Sequence, residues 1–255
     1  MESCQIDGDS YGKTVMKDIL NLGDAWAEGS GIFETIRVED QKVFALHRHH
    51  CRAKETAERL GFEIPSEAEV TAASYQVINA HDYQLGRLRW HFDRTGDFTI
   101  SYVPYSDPEA PARLMIFDQK HSDYEIKNKE YPYKNLELLQ IAKSAGYDDG
   151  IITTIDGQIA ETSMATLFLK ISGNWVTPPL SSGILNGVTR ALCIEAGLVN
   201  VRRTEISEIK SIESALLITS LRNSQLVGEI AGRSLTLDPQ KSAEIHQFMN
   251  SYKGL

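Results

Sequence analysis

Glu161 sits in the run IAETS, directly after a strand–turn–strand pattern over GIITTIDGQIA. A small-residue turn, Gly183-Ile184-Leu185-Asn186-Gly187, follows and leads into a helix expected to begin near Val188. A carboxylate on a hairpin can face a nitrogen-bearing ligand. Backbone N–H groups at a helix start can hold an anion. The pairing therefore suits an anionic, nitrogen-containing cofactor. A metal site is not indicated. His47, His49 and His50 in LHRHHCR are too tightly spaced on one helix to converge on an ion. Cys4, Cys51 and Cys193 are widely spaced and odd in number, so neither a disulfide framework nor a CxxC metal site is indicated, and reduced thiols are expected.

The elements that must position these residues alternate between strand and helix signals. GIFETIRV at 31–38 alternates as a half-buried strand, and Gln41 to Leu46 reads as a second strand after a turn at Glu39-Asp40. Helical spacing runs from about His49 to Leu60 and ends at Gly61. Ser66 followed by Glu69 is a capping box that opens another helix. Residues 86–92 and 97–103 form a hairpin around Thr95-Gly96, and Arg113 to Phe117 is an apolar strand. Residues 118–133 are polar and aperiodic, and read as a connection between an N-terminal lobe at 1–117 and a larger C-terminal lobe at 134–255. That second lobe opens with a helix from Asn135 to Ala145 and closes with an amphipathic helix from about Pro239 to Tyr252. Two α+β lobes are expected, with the ligand in the cleft between them.

A net charge of −9 argues against general affinity for nucleic acid or an anionic membrane. No apolar run reaches the length of a membrane span, and MESCQIDGDSYGKTV lacks a basic stretch followed by an apolar core. The expectation is a cytoplasmic protein whose partner is a small molecule.

Four segments, in order, carry a family resemblance: GSGIFETIRV at 29–38, HHCR at 49–52, YKNLELL at 133–139, and the block from Gly150 to Arg190. Together they resemble the class IV aminotransferases, the fold-type IV pyridoxal-phosphate enzymes. That family includes branched-chain and D-amino acid aminotransferases and 4-amino-4-deoxychorismate lyase. The resemblance implies pyridoxal 5'-phosphate as cofactor, a small amino substrate and a homodimer. It places Lys134 as the lysine to which the cofactor attaches and which moves the substrate proton. An amine does this when desolvation or a neighbouring positive charge keeps it largely neutral. It places Glu161 on the pyridine nitrogen, where a carboxylate maintains the pyridinium electron sink. It gives the phosphate to Val188 and Thr189 at the helix start, to Arg52 as a fixed guanidinium, and to Ser220 in LLITSLRN. Leu139 stands where some members carry a tyrosine facing the ring oxygen.

Lyase and aminotransferase share this machinery. Thr35 in FET resembles a lyase hydroxyl near the reacting substrate, and TSLRN at 219–223 resembles a lyase NSLRG pattern with Thr219 replacing asparagine. Arg94 in DRTG resembles a substrate-carboxylate arginine. These features favour pyruvate elimination to 4-aminobenzoate, a step of folate biosynthesis. An amino acid aminotransferase of branched-chain or D-amino acid type is the alternative, and a catalytically inactive cofactor-fold binding protein is a more remote one.

Overall fold

The computed structural model describes residues 31–121 and 131–252, without side chains at 118–121 and 131–134. The chain divides into two compact units, the first ending at Ser106 and the second starting at Asp107.

In the first unit, β1 (Gly31–Glu39), β2 (Lys42–Val43), α1 (Leu46–Arg59), α2 (Glu67–Asn79), β3 (Leu85–Asp93) and β4 (Phe98–Pro104) follow one another. The sheet is antiparallel in the order β2-β1-β3-β4. Strict alternation along β3 puts Gly86, Leu88, Trp90 and Phe92 in the core and leaves Arg87, Arg89 and His91 half-buried on the opposite face. The core face meets Ala53 and Ala57 of α1 and Val70, Val77 and Ile78 of α2. Alanines four residues apart let α1 approach the sheet closely. The Trp90 indole is buried with its N–H satisfied, donating to Ser74 Oγ at 2.9 Å.

The expected second strand is short, because the chain turns twice. Asp40 and Gln41 both adopt positive φ, 48° and 61°, the primed turn that suits a two-residue hairpin. Ala45, at φ 45°, then starts α1 three residues before the expected His49. The capping box is present, with Ser66 N donating to Glu69 Oε2 at 2.9 Å and Glu69 N to Ser66 Oγ at 3.3 Å. At the β3–β4 turn, Asp93 Oδ1 accepts from Thr95 N and Asp97 N, and Gly96 takes a φ of 94°.

The second unit contains β5 (Ala112–His121), α3 (Tyr131–Ser144), β6 (Asp149–Thr154), β7 (Ile159–Thr162), β8 (Thr166–Ile171), β9 (Asn174–Thr177), α4 (Val188–Glu195), β10 (Asn200–Val201), β11 (Ile212–Thr219), β12 (Asn223–Ile230), β13 (Arg233–Ser234) and α5 (Pro239–Ser251). Its sheet runs β10-β9-β8-β11-β12-β5-β6-β7, with β13 on β12. Ile151, Ile159, Leu167, Leu169, Leu217 and Val227 form one core. Phe117 and Ile152 pack with Leu138 and Ala142 of α3 in another.

This topology corrects the expected division after residue 117. β5 pairs in parallel with both β12 and β6, so its hydrogen bonds place it in the second unit. The supposed connection at 118–133 is correspondingly shorter: β5 extends to His121 and α3 already begins at Tyr131. Pro132 lies in the first turn of α3, where a missing N–H costs nothing. No helix among the described residues is long and apolar enough to cross a membrane.

Candidate functional site

Glu161 is no exposed strand end. It is 3% exposed on β7, and its Oε2 accepts the Leu185 N–H at 3.2 Å. The loop 183–187 that supplies this N–H runs directly into α4, so one short segment connects the carboxylate to the helix start. Arg190, on the first turn of α4, feels the Glu161 charge. Burial lowers its pKa and Glu161 works the other way, while Nη2 donates to Pro178 O at 2.7 Å. The residues after Glu161 are pinned from below by Asp149. Its carboxylate accepts from Ser163 Oγ at 2.5 Å, Ser163 N at 3.1 Å and Met164 N at 3.2 Å.

The α4 N-terminus is built to receive a polar group. Gly187 caps it without a side-chain hydrogen bond, and the leading N–H groups of an α-helix have no intrahelical acceptor. Thr189, 1% exposed, has a buried hydroxyl with no hydrogen-bond partner. α4 packs on β11, the strand that ends at the turn bearing Ser220. Ser220 itself is half-buried there. The same turn ends at Asn223, which is fully buried at φ 57°, with both amide atoms unpartnered. Buried polar atoms without partners are rare in folded proteins. Here they sit on the two loops expected to meet a phosphate.

In the first unit, Arg52 projects from α1 into a buried charge cluster. Its Nε donates to Glu34 Oε1 at 2.8 Å and its Nη2 to Glu34 Oε2, completing a fork, while His49 Nδ1 lies 2.7 Å from Oε2. Burial opposes ionisation of Glu34. The charges and hydrogen bonds of Arg52 and His49 outweigh it and hold the carboxyl far below the usual range. The guanidinium is therefore fixed in orientation.

Thr35 lies on the opposite face of β1. Its Oγ1 accepts from Arg89 Nε at 3.3 Å, across the direct Thr35–Arg89 register pair. Arg89 also stacks over Phe33, and burial, with the charge of Arg87, lowers its pKa to about 10, so it stays charged at neutral pH. Arg94 is not with them. It is exposed on the β3–β4 turn and donates to Leu60 O, the carbonyl after α1, at 3.4 Å. It lies five positions after Arg89, beyond the end of β3 at Asp93.

Lys134 falls in the first turn of α3, just ahead of the helix start expected at Asn135; its side chain lies outside the described residues. Its neighbour Asn135 is buried and donates from its amide to Ser163 O. The backbone that carries the lysine is thus tied to the turn that follows Glu161.

Asn135, Asp149, Arg190, Asn223 and Arg89 are additions to the expected set. Arg89 carried a sequence signal, since arginine at the outward positions of an alternating strand is polar on a single face. Asn135 and Asp149 carried none, because their role depends on a contact with a distant turn.

Within the second unit, a buried carboxylate and a helix start with an orphaned threonine hydroxyl have the chemistry that the ring nitrogen and phosphate of pyridoxal phosphate would need. The family model for amino-transferase class IV matches residues 31–230. A protein of Schizosaccharomyces pombe named "Putative aminodeoxychorismate lyase" is 26% identical over 232 residues, which is 86% of this chain and 95% of that protein. The D-alanine aminotransferase of Bacillus licheniformis is 25% identical over 67% of this chain and 68% of its own. A crystal structure from Legionella pneumophila bearing the corresponding lyase name superposes with a TM-score of 0.79 at 22% identity, covering 87% of this chain and 91% of that one. With an α+β architecture matching the fold-type IV enzymes and the family match spanning both units, the chain belongs to the class IV aminotransferase family and is a pyridoxal-phosphate-dependent enzyme.

Proposed function

We propose that this enzyme removes pyruvate from 4-amino-4-deoxychorismate to give 4-aminobenzoate, as a cytoplasmic homodimer serving folate biosynthesis. The observation that carries the reading is the Thr35–Arg89 pair at 3.3 Å. The leaving enolpyruvyl group has its ether oxygen and carboxylate on the same carbon, and therefore needs a hydroxyl donor and a cation side by side. Because Thr35 Oγ1 accepts from Arg89, its own proton is left to donate to the departing oxygen. Arg89 takes the adjacent carboxylate, the role expected of Arg94. The lyase name of the Schizosaccharomyces pombe relative, which this chain matches over nearly that protein's whole length, supports the same reading.

When bound, pyridoxal phosphate would supply the electron sink for the carbanion left by proton loss. Lys134 would take the proton from the carbon bearing the amine, Glu161 would keep the ring nitrogen protonated, and Arg52, Val188, Thr189 and Ser220 would hold the phosphate. Arg52→Ala is expected to weaken cofactor binding by about 1.5–3 kcal/mol, the scale of a charged hydrogen bond. Titrating apo-protein with pyridoxal phosphate measures this, and unchanged affinity would remove Arg52 from the site.

The reaction is tested by incubating cofactor-loaded protein with aminodeoxychorismate, which should yield 4-aminobenzoate and pyruvate in equal amounts. Thr35→Val should lower that yield about a hundredfold while sparing any side transamination, since only elimination needs the donor. Robust transamination of L- or D-amino acids with 2-oxoglutarate or pyruvate, and no 4-aminobenzoate, would establish the aminotransferase instead.

A further inference from the structure

The outward face of the first sheet carries more positive charge than one carboxylate requires. Arg87 and Arg89 are two residues apart on β3 and share this face. Arg37, 4% exposed and bonded through Nε to Glu39 at 3.0 Å, is the direct cross-strand partner of Arg87. Like charges directly opposite one another destabilise a sheet. β4 offers no relief, since the residues opposite Arg87, Arg89 and His91 are Val103, Ser101 and Thr99. Among the described residues no carboxylate pairs with Arg87 or Arg89, and the charge acting on Arg89 is that of Arg87. Half-buried guanidinium groups in this state are arranged for an anion from outside the described residues.

We infer that Arg87 and Arg89 bind two carboxylates of a single substrate. Alternate residues of a strand are about 6.6 Å apart, so the strand itself sets the spacing at which two guanidinium forks are presented. The ligand class is a small amino compound with two carboxylates separated by roughly that distance. This rests on the elimination reading: Arg89, beside Thr35, receives the enolpyruvyl carboxylate, and Arg87 receives the one on the ring. Arg87 then determines specificity, because an amino acid with one carboxylate and an apolar side chain has nothing to offer it.

The test uses the cofactor-loaded enzyme and two inert probes, isophthalate and benzoate, with binding measured by calorimetry. Wild type should bind isophthalate about tenfold or more tightly than benzoate, and Arg87→Gln should abolish that preference while leaving benzoate affinity within about twofold. Arg89→Gln should weaken both probes, and Arg87→Lys should restore part of the preference. Equal affinities in wild type, or an isophthalate preference that survives Arg87→Gln, would overturn the inference. The elimination reading fails separately: an isophthalate preference that depends on Arg87, with no 4-aminobenzoate formed, leaves a dicarboxylate site on an enzyme of another reaction.

Discussion

Lys134→Ala is expected to lower turnover by at least about four orders of magnitude and to eliminate covalent cofactor attachment altogether. The lysine has two tasks, attaching the cofactor and transferring the substrate proton. Proton transfer by a positioned group alone contributes about 10²–10⁴. The location supports it. Lys134 occupies the first turn of α3, and the next residue, Asn135, is anchored to Ser163 O, two residues beyond Glu161. That bond ties the backbone of the proposed attachment point to the carboxylate proposed for the other end of the ring. Borohydride reduction followed by peptide mapping gives a readout independent of turnover. The pyridoxyl mass should lie on Lys134 in wild type and be absent from the variant. Lys143 is the nearest described rival, but it is exposed near the end of α3. Label on Lys143, Lys127 or Lys129 would overturn the assignment.

Local features were the legible ones. The alternation in GIFETIRV, the Ser66–Glu69 capping box and the Asp93–Gly96 turn each depend on residues within a few positions of one another, and each forms as its pattern implies. The start of α1 was less legible, because Ala45 adopts a left-handed conformation that nothing in its side chain favours. The unit boundary failed for another reason. β5 is an apolar run that could join either sheet, and its partners β6 and β12 lie far along the chain. Periodicity reports that a strand has a buried face but not which strand lies beside it. The candidate site divides the same way. Motif order pointed to Glu161 and to the loop before Val188, whereas the Glu34 fork on Arg52 joins residues eighteen apart, a separation that no local pattern encodes. Arg94 was expected from the resemblance of DRTG to a substrate-carboxylate arginine, and Arg89 was not among the expected residues. The alternation along β3 marks Arg89 as outward-facing, but its pairing with Thr35 depends on the register between β1 and β3. Asn223 is a gap of a further kind: its left-handed backbone explains asparagine at the turn, while its buried, unpartnered amide implies a group outside the described chain.

Glu161→Gln is expected to leave pyridoxal phosphate bound while slowing removal of the substrate proton by about a hundredfold, close to 3 kcal/mol of barrier. The substitution preserves shape. A glutamine oxygen can still accept the Leu185 N–H, so the loop leading to α4 and the phosphate donors at its start should stay in place. Charge is what changes. At 3% exposure the carboxylate is shielded from water, and its field acts on a nearby ring nitrogen with little screening. A neutral amide offers no such field and presents N–H donors where an acceptor is needed, so the nitrogen holds its proton less tightly. The sign follows: spectral changes that report ring-nitrogen deprotonation should move to lower pH in the variant. Arg190 loses the charge that opposes the effect of its burial, which adds a structural cost. Thermal melting of the apo-protein measures that cost separately from the kinetic loss. Exchange of the substrate proton with deuterated solvent isolates the affected step, and should slow in parallel with turnover. Turnover within a factor of about three of wild type, less than ~1 kcal/mol, would remove Glu161 from the ring nitrogen and leave it a buried anchor for the 183–187 loop.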